Sequence, residues 1–298
     1  MSVSASAPFD NSAEADVVIR SADRVDFHVL KVVLSLSSNV FRGMFELPGI
    51  GPQISSSEST EALPVVEVSE DSEALDALLR LIYPNAVYSK SLPPYLTHIA
   101  AMLEAGRKYE MEKVTGWAAE SLAKVVNVRP IATFALACKY SLQDTMKAAA
   151  IAAAPLATDE LLRSEPELKY ISAFTYLKLL EFRRCCMTAA SAILAQTKQD
   201  ATVAFWSDLG PKRQILIQRW WFDYIANAKD ELTTTWWNEE IAKQTLLEAM
   251  TSNSPCSECR KLSPSTTSRI NAFVRSTSQA IQQKHSELLE SYGFTSEI

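Results

Sequence analysis

The cysteines whose spacing best suits a chemical role are Cys256 and Cys259, in the sequence SPCSEC. This Cys-x-x-Cys spacing suits two zinc ligands or a redox pair. A zinc site usually needs four ligands, and the other cysteines are Cys138, Cys185 and Cys186. Neighbouring residues on a helix point about 100° apart, so Cys185 and Cys186 do not both reach one metal easily. A thioredoxin-like redox role is not expected either, because the two cysteines do not lie in a βαβ pattern. We therefore expect two reduced thiols, with no metal and no cofactor.

Two tryptophan pairs, Trp220–Trp221 and Trp236–Trp237, suggest either a stacking platform for a base or sugar, or helix packing. Each pair lies in a helical pattern beside other apolar residues such as Phe222 and Ile241. Stacking on a nucleic acid also needs a basic groove, which the sequence around these pairs does not provide. Packing between helices is the preferred interpretation.

Catalytic motifs are absent from the sequence. The three histidines, His28, His98 and His285, lie far apart, and there is neither an H-E-x-x-H nor a G-x-S-x-G sequence. The seven glycines form no phosphate-binding loop of the dinucleotide or Walker type. We expect no catalytic residue and no enzymatic activity, with a hydrolase kept as the last alternative.

Charge and composition indicate which classes of partner and which cellular compartment to expect. The chain has 29 basic and 35 acidic residues, a net charge of −6, which argues against direct nucleic-acid binding. The beginning, MSVSASAPFD, has no apolar signal segment, and no apolar run is long enough to span a membrane. Five cysteines in 298 residues do not indicate a disulfide framework. We expect an intracellular protein, cytoplasmic or nuclear, with no membrane contact.

The elements that would position any site divide the chain into two parts. Residues 1–13 are rich in Ser and Ala and are expected to form a disordered tail. Strand patterns and short amphipathic helices alternate up to Val126. The strands are predicted at 15–20, 25–29 and 64–68, and the helices at 30–36, 38–45, 69–84, 95–111 and 112–126. From residue 127 only helical patterns follow, and the Arg129–Pro130 step is the best boundary.

The segment DFHVLKVVLSLSSNVFRGMF (26–45) resembles the signature of the BTB/POZ domain. Residues 16–19 and 64–68 are similar to strands of that family, and 72–84 to its helix that ends in a Tyr and a turn. The family usually has a His before Lys31, where this chain has Leu30. The resemblance implies an α+β BTB/POZ domain at 14–126, with a short three-stranded sheet and helical hairpins, and an all-α region at 127–298.

The rest of the chain also resembles known proteins. Residues 131–150 are similar to the helical extension, called BACK, that often follows a BTB domain. Residues 167–186 and 219–232, with Cys256 and Cys259, resemble the pattern of large BTB-containing families of mushroom-forming (basidiomycete) fungi.

The resemblance implies a protein-binding role, by self-association as a homodimer or by docking a scaffold. We expect the interface on apolar residues around the first helices, because a domain of this size cannot bury them all. These residues are Val29, Val32, Val33, Leu36, Val40, Phe41, Met44 and Phe45.

The function expected is that of an adaptor, with the cullin scaffold of a ubiquitin ligase as one partner that the family implies. Cullin-binding members often carry a hydrophobic-x-Glu sequence before the third strand, and residues 47–62 have none. The alternative is a structural or regulatory oligomer linked to transcription. Direct DNA contact is not expected, since there is no zinc finger and no basic helix.

Overall fold

The computed structural model describes residues 2–47, 63–84, 95–204, 224–232, 236–252 and 264–294. The chain divides into two compact units, Met1–Arg129 and Pro130–Ile298. The division falls at the Arg129–Pro130 step. The fold class expected from the sequence is confirmed, because strands and helices build the first unit and the described part of the second contains helices without strands.

The first unit contains a small four-stranded sheet. Its strands are β1 (Val3–Ser4), β2 (Val17–Arg20), β3 (Val25–Val29) and β4 (Val65–Glu67). Their order across the sheet is β1-β3-β2-β4. The strands β2 and β3 pair antiparallel, whereas β1 and β4 add in parallel to β3 and β2. The three predicted strands are therefore confirmed, and the sheet gains one strand at its edge.

The hairpin between β2 and β3 is closed by local hydrogen bonds. The Ser21 hydroxyl accepts from the Val25 amide at 2.9 Å, and Arg24 takes the left-handed backbone conformation with φ of 62°. On the strands, the guanidinium of Arg20 donates to both carboxylate oxygens of Asp26, at 2.6 and 3.0 Å. This two-point geometry fixes the register of the pair, which places Arg20 opposite Asp26.

The beginning of the chain corrects the expected disordered tail at 1–13. The Val3 amide donates to the Arg24 carbonyl at 3.0 Å, and the Ala5 amide donates to the Asp26 carbonyl at 2.9 Å. Phe9 is fully buried, and its ring centroid lies 5.1 Å from that of Tyr83 in an edge-to-face contact. The segment is ordered because backbone hydrogen bonds and one buried aromatic ring hold it.

Five helices lie in the described part of the first unit. They are α1 (Lys31–Ser37), α2 (Asn39–Phe45), α3 (Ser72–Ile82), α4 (Leu96–Lys108) and α5 (Glu112–Lys124). The Asp71 side chain caps α3 by accepting from the Ala74 amide at 2.8 Å. The core contains Ile19 and Phe27 from the sheet, and Leu78 and Met102 from the helices.

The second unit contains seven described α-helices and one short 3-10 helix. They are α6 (Pro130–Lys139), α7 (Gln143–Ala153), α8 (Thr158–Leu161), the 3-10 helix (Pro166–Tyr170), α9 (Ala173–Ala204), α10 (224–231), α11 (Glu239–Ser252) and α12 (Pro264–Tyr292). The helix α6 packs on α7, and α12 packs on both α9 and α11. Over the described ranges, no helix has the length and apolar character needed to cross a bilayer.

Candidate protein-interaction surface

The helices α1 and α2 form a tight hairpin that side-chain hydrogen bonds hold together. The Ser38 hydroxyl lies between them and caps α2 by accepting from the Phe41 amide at 3.1 Å, while it donates to the Tyr109 carbonyl. The Arg42 guanidinium reaches back from α2 and donates to the Ser35 carbonyl at 2.9 and 3.2 Å. The two helices are thus fixed in one arrangement, and their outward side chains have defined positions.

A column of three stacked aromatic rings lies on the buried side of the hairpin. The ring of Phe41 stacks on Phe45 at 5.9 Å and on Tyr109 at 4.6 Å between centroids. The Tyr109 hydroxyl donates to the Glu70 carboxylate at 2.5 Å, and the Lys108 ammonium donates to the same group at 2.9 Å. The column therefore ends in a hydrogen-bonded ion pair.

The ionisation of Glu70 and Tyr109 is coupled through this contact. Burial opposes the charged form of Glu70, but the hydrogen bonds from Tyr109 and Lys108 outweigh it and hold the pKa of the carboxyl below its ordinary value. Burial, with the negative charge of Glu70 beside it, raises the pKa of the Tyr109 hydroxyl. At neutral pH, Glu70 is charged and Tyr109 is a neutral donor.

Replacement of Tyr109 by phenylalanine is expected to lower the free energy of unfolding of the first unit by about 1–2 kcal/mol at neutral pH, because a hydrogen bond to a buried charge is lost. A carboxyl with a lowered pKa stabilises the fold above its ordinary value of 4.5, and this contribution disappears as the pH falls through the folded-state pKa. The difference between wild type and variant should therefore shrink in acid.

Urea unfolding at neutral and acidic pH measures this difference. The matched control is Tyr95→Phe, in the same unit, because the Tyr95 side chain is 79% exposed and its loss of a hydroxyl should change little. An equal effect of both variants would contradict the role of the Tyr109–Glu70 contact.

The residues predicted as an interface divide into three groups by exposure. Val32 is 58% exposed and Leu36 is 76% exposed, four residues apart on one face of α1. Val33, Val40 and Met44 are half-buried. The remaining three residues, Val29, Phe41 and Phe45, are buried. This corrects their assignment to a surface, because strand pairing and ring stacking use them inside the unit.

Sequence reasoning also missed two residues of this region. Leu34 is the fully buried side chain of α1, although it was not among the residues expected on the apolar face. Leu47, which follows α2, is 57% exposed and extends the set of outward apolar residues. We call Val32, Val33, Leu36, Val40 and Met44 the hairpin surface. Its two exposed members and three half-buried neighbours are all uncharged and apolar.

The structure describes some of the histidines, cysteines and tryptophans considered from the sequence, and the described ones form no metal site. His98 is buried with its ring centroid 6.3 Å from that of Trp117, and the ring nitrogen Nε2 of His285 lies 3.1 Å from the Cys186 carbonyl oxygen. Cys256, Cys259, Trp220 and Trp221 lie outside the described residues, as does most of the 47–62 segment. Among the described residues, no group of three or more His, Cys, Asp or Glu side chains is placed to hold a metal ion.

Comparison with known proteins identifies the first unit. A sequence model of the BTB/POZ domain family matches residues 6–124. A search of curated proteins found no match to this chain. The match spans the sheet from β2 onwards and all five helices of the first unit. Residues 6–124 are therefore a BTB/POZ domain, a protein-interaction module, and a mostly helical region follows it.

Proposed function

We propose that this protein is a non-enzymatic adaptor that self-associates through the hairpin surface of its BTB/POZ domain and presents its helical unit to a protein partner. The observation that carries the proposal is the exposure of Val32 and Leu36 on α1, a helix whose only charged residue is Lys31. Apolar side chains gathered on one outward face are typical of an interface that excludes water.

A second copy of the chain is the occupant that suits this surface best. The hairpin surface is apolar and uncharged, so it is complementary to itself, as a two-fold interface requires. BTB domains as a family mediate homodimerisation, which supports the same choice.

The test replaces Val32 by aspartate and measures the mass of the full chain by sedimentation equilibrium. Position 32 lies in the first turn of α1, where a carboxylate suits the helix dipole, so the helix itself should tolerate the change. We expect the wild type to be a dimer, and the variant to dissociate at least tenfold more readily, because a desolvated carboxylate would lie in the interface.

Val128→Asp is the matched control, since Val128 belongs to the same unit, is 75% exposed and lies outside the hairpin. It should dimerise like the wild type. A monomeric wild type, or equal weakening by both substitutions, would refute self-association through this face.

The cullin scaffold that the family resemblance implies is tested with the same variants. If a purified cullin binds the wild type but not Val32→Asp, while the chain itself stays monomeric, the hairpin surface serves ligase assembly and not self-association. The missing hydrophobic-x-Glu sequence at 47–62 favours self-association over this outcome. A regulatory oligomer linked to transcription would show the dimer without cullin binding.

The proposed setting of this function is argued from the cysteine content of the sequence. We place the adaptor inside the cell, in the cytoplasm or nucleus, on the ground that five cysteines show no disulfide framework. In this proposal the helical region, residues 127–298, is the part that recruits the partner.

A further inference from the structure

A cavity of about 290 Å³ lies in the second unit, among α10, α11 and the Trp236–Trp237 pair. It is lined by Tyr224, Ala228, Glu231, Leu232, Trp236, Trp237, Asn238, Ala242 and Thr245. Its volume is at the lower end for ligand pockets and suits a small headgroup or one side chain better than a cofactor.

Helical spacing explains why these residues meet. Tyr224, Ala228 and Glu231 follow one another at intervals of four and three residues and so share one face of α10. Asn238, Ala242 and Thr245 follow the same spacing at the beginning of α11. The Tyr224 hydroxyl donates to the Ala242 carbonyl at 3.3 Å, which ties the two faces together.

The two tryptophans are held from behind by α12. The Trp237 indole N–H donates to the Ser278 hydroxyl at 2.9 Å, and the Trp236 ring centroid lies 4.6 Å from that of His285. Ser278 and His285 are about two helical turns apart, so one face of α12 supports both indoles. The aromatic wall is therefore preorganised before any ligand arrives.

The electrostatics of the cavity favour a positive charge. Among the lining residues that the structure describes, three are Tyr or Trp, one is the carboxylate Glu231, and none is Lys, Arg or His. Burial raises the pKa of Tyr224, and the negative charge of Glu231 raises it further. Burial also lowers the pKa of His285, so the imidazole behind Trp236 is neutral at neutral pH. A phosphate or carboxylate ligand would find no cationic partner among these described residues.

We infer that this cavity binds an alkylated ammonium group, with the Trp236, Trp237 and Tyr224 rings around the cation and Glu231 as its counter-charge. The faces of aromatic rings, tryptophan most of all, attract cations, and the attraction grows when water is excluded. In this inference the tryptophan pair has two roles. Each indole packs against α12, as the sequence predicts, and each also lines the cavity that binds the cation.

Choline and its neutral isostere dimethylbutanol, which replaces the nitrogen with carbon, separate charge from shape. The full chain is labelled with fluorotryptophan, so that each of its six tryptophans gives a fluorine NMR signal, assigned with Trp→Phe variants. We expect choline to shift the Trp236 and Trp237 signals to saturation, and to bind about tenfold more tightly than the isostere. The Trp117 signal, from the BTB unit, should not move.

Two charge variants test the counter-charge. Glu231→Gln is expected to weaken choline binding about fivefold or more, because the carboxylate stabilises the cation. Glu181→Gln removes the same charge from the same unit at a residue outside the cavity lining, and should leave the affinity within about twofold. Equal binding of choline and isostere, or saturable shifts elsewhere without shifts at Trp236 and Trp237, would overturn the inference, as would no saturable shift at all.

The source of the ammonium group is decided by a third probe, acetylated trimethyllysine amide. Tighter binding of this probe than of choline assigns the cavity to a methylated lysine of a partner protein. The reverse order assigns it to a free small molecule. Both outcomes uphold the cation site, and neither depends on whether the hairpin surface dimerises.

Discussion

Replacement of Leu34 by alanine is expected to lower the free energy of unfolding of the BTB/POZ unit by about 2–5 kcal/mol. Leu34 is the one fully buried side chain of α1, and its truncation both loses apolar contacts and leaves a cavity. The change should appear as faster hydrogen exchange of the α4 and α5 amides, measured by mass spectrometry on the full chain in rising urea.

Leu36→Ala provides the matched control on the same helix. Leu36 is 76% exposed, so the same substitution should change the free energy of unfolding by less than about 0.5 kcal/mol. If Leu36 contributes to the interface, this variant should instead weaken the dimer while leaving hydrogen exchange of the dissociated unit unchanged. Equal destabilisation by both variants would contradict the orientation of α1, and with it the hairpin surface.

The order of elements in the BTB/POZ unit could be predicted from the sequence because its local patterns agree with its fold. Val17–Arg20 and Val25–Val29 are short runs rich in β-branched residues around a polar turn, and each forms a strand. The helix Ser72–Ile82 begins after a capping aspartate and ends before a proline. Where propensity, capping and periodicity all indicate the same element, one sequence suffices.

The first strand could not be predicted because its signal is not in its side chains. Val3 is 66% exposed, and the strand is held by backbone hydrogen bonds to Arg24 and Asp26 across the sheet. A sequence rich in Ser and Ala resembles a disordered tail unless its tertiary partner is known. Phe9 was the one available clue, as a large aromatic residue in a polar segment that the structure buries completely.

The buried side of α1 could not be predicted for a different reason, because its apolar residues lie on more than one side of the helix. Val32, Val33 and Leu36 repeat with helical spacing and predict one apolar face, yet Leu34 faces the core. Hydrophobic periodicity identifies a buried face only when the other face is polar. A short helix with apolar residues on two sides can bury one side in its own core and offer the other to a partner, as Leu34 and the exposed Val32 and Leu36 do in this proposal.

The helical unit contains a cluster of aromatic rings, and replacement of one phenylalanine measures how much this cluster stabilises the unit. Phe182 of α9 is 1% exposed, and its ring lies edge-to-face with Tyr292 and Phe294 at centroid distances of 5.6 and 5.7 Å. Phe134 of α6 meets Phe294 in the same way at 5.5 Å. Phe182→Ala is expected to lower the free energy of unfolding of this unit by about 3–5 kcal/mol, since it opens a cavity among these rings.

Phe174→Ala on the same helix separates burial from residue type. Phe174 is 63% exposed, with the Lys178 ammonium 4.7 Å from its ring centroid, so its removal should cost less than about 1 kcal/mol. Hydrogen exchange of the α6 and α9 amides in urea measures both variants in the full chain. Similar exchange in the two variants would mean that the aromatic cluster contributes little. A large difference would show that the buried Phe182 ring, which contacts Tyr292 and Phe294, stabilises this unit far more than an exposed phenylalanine of the same helix does.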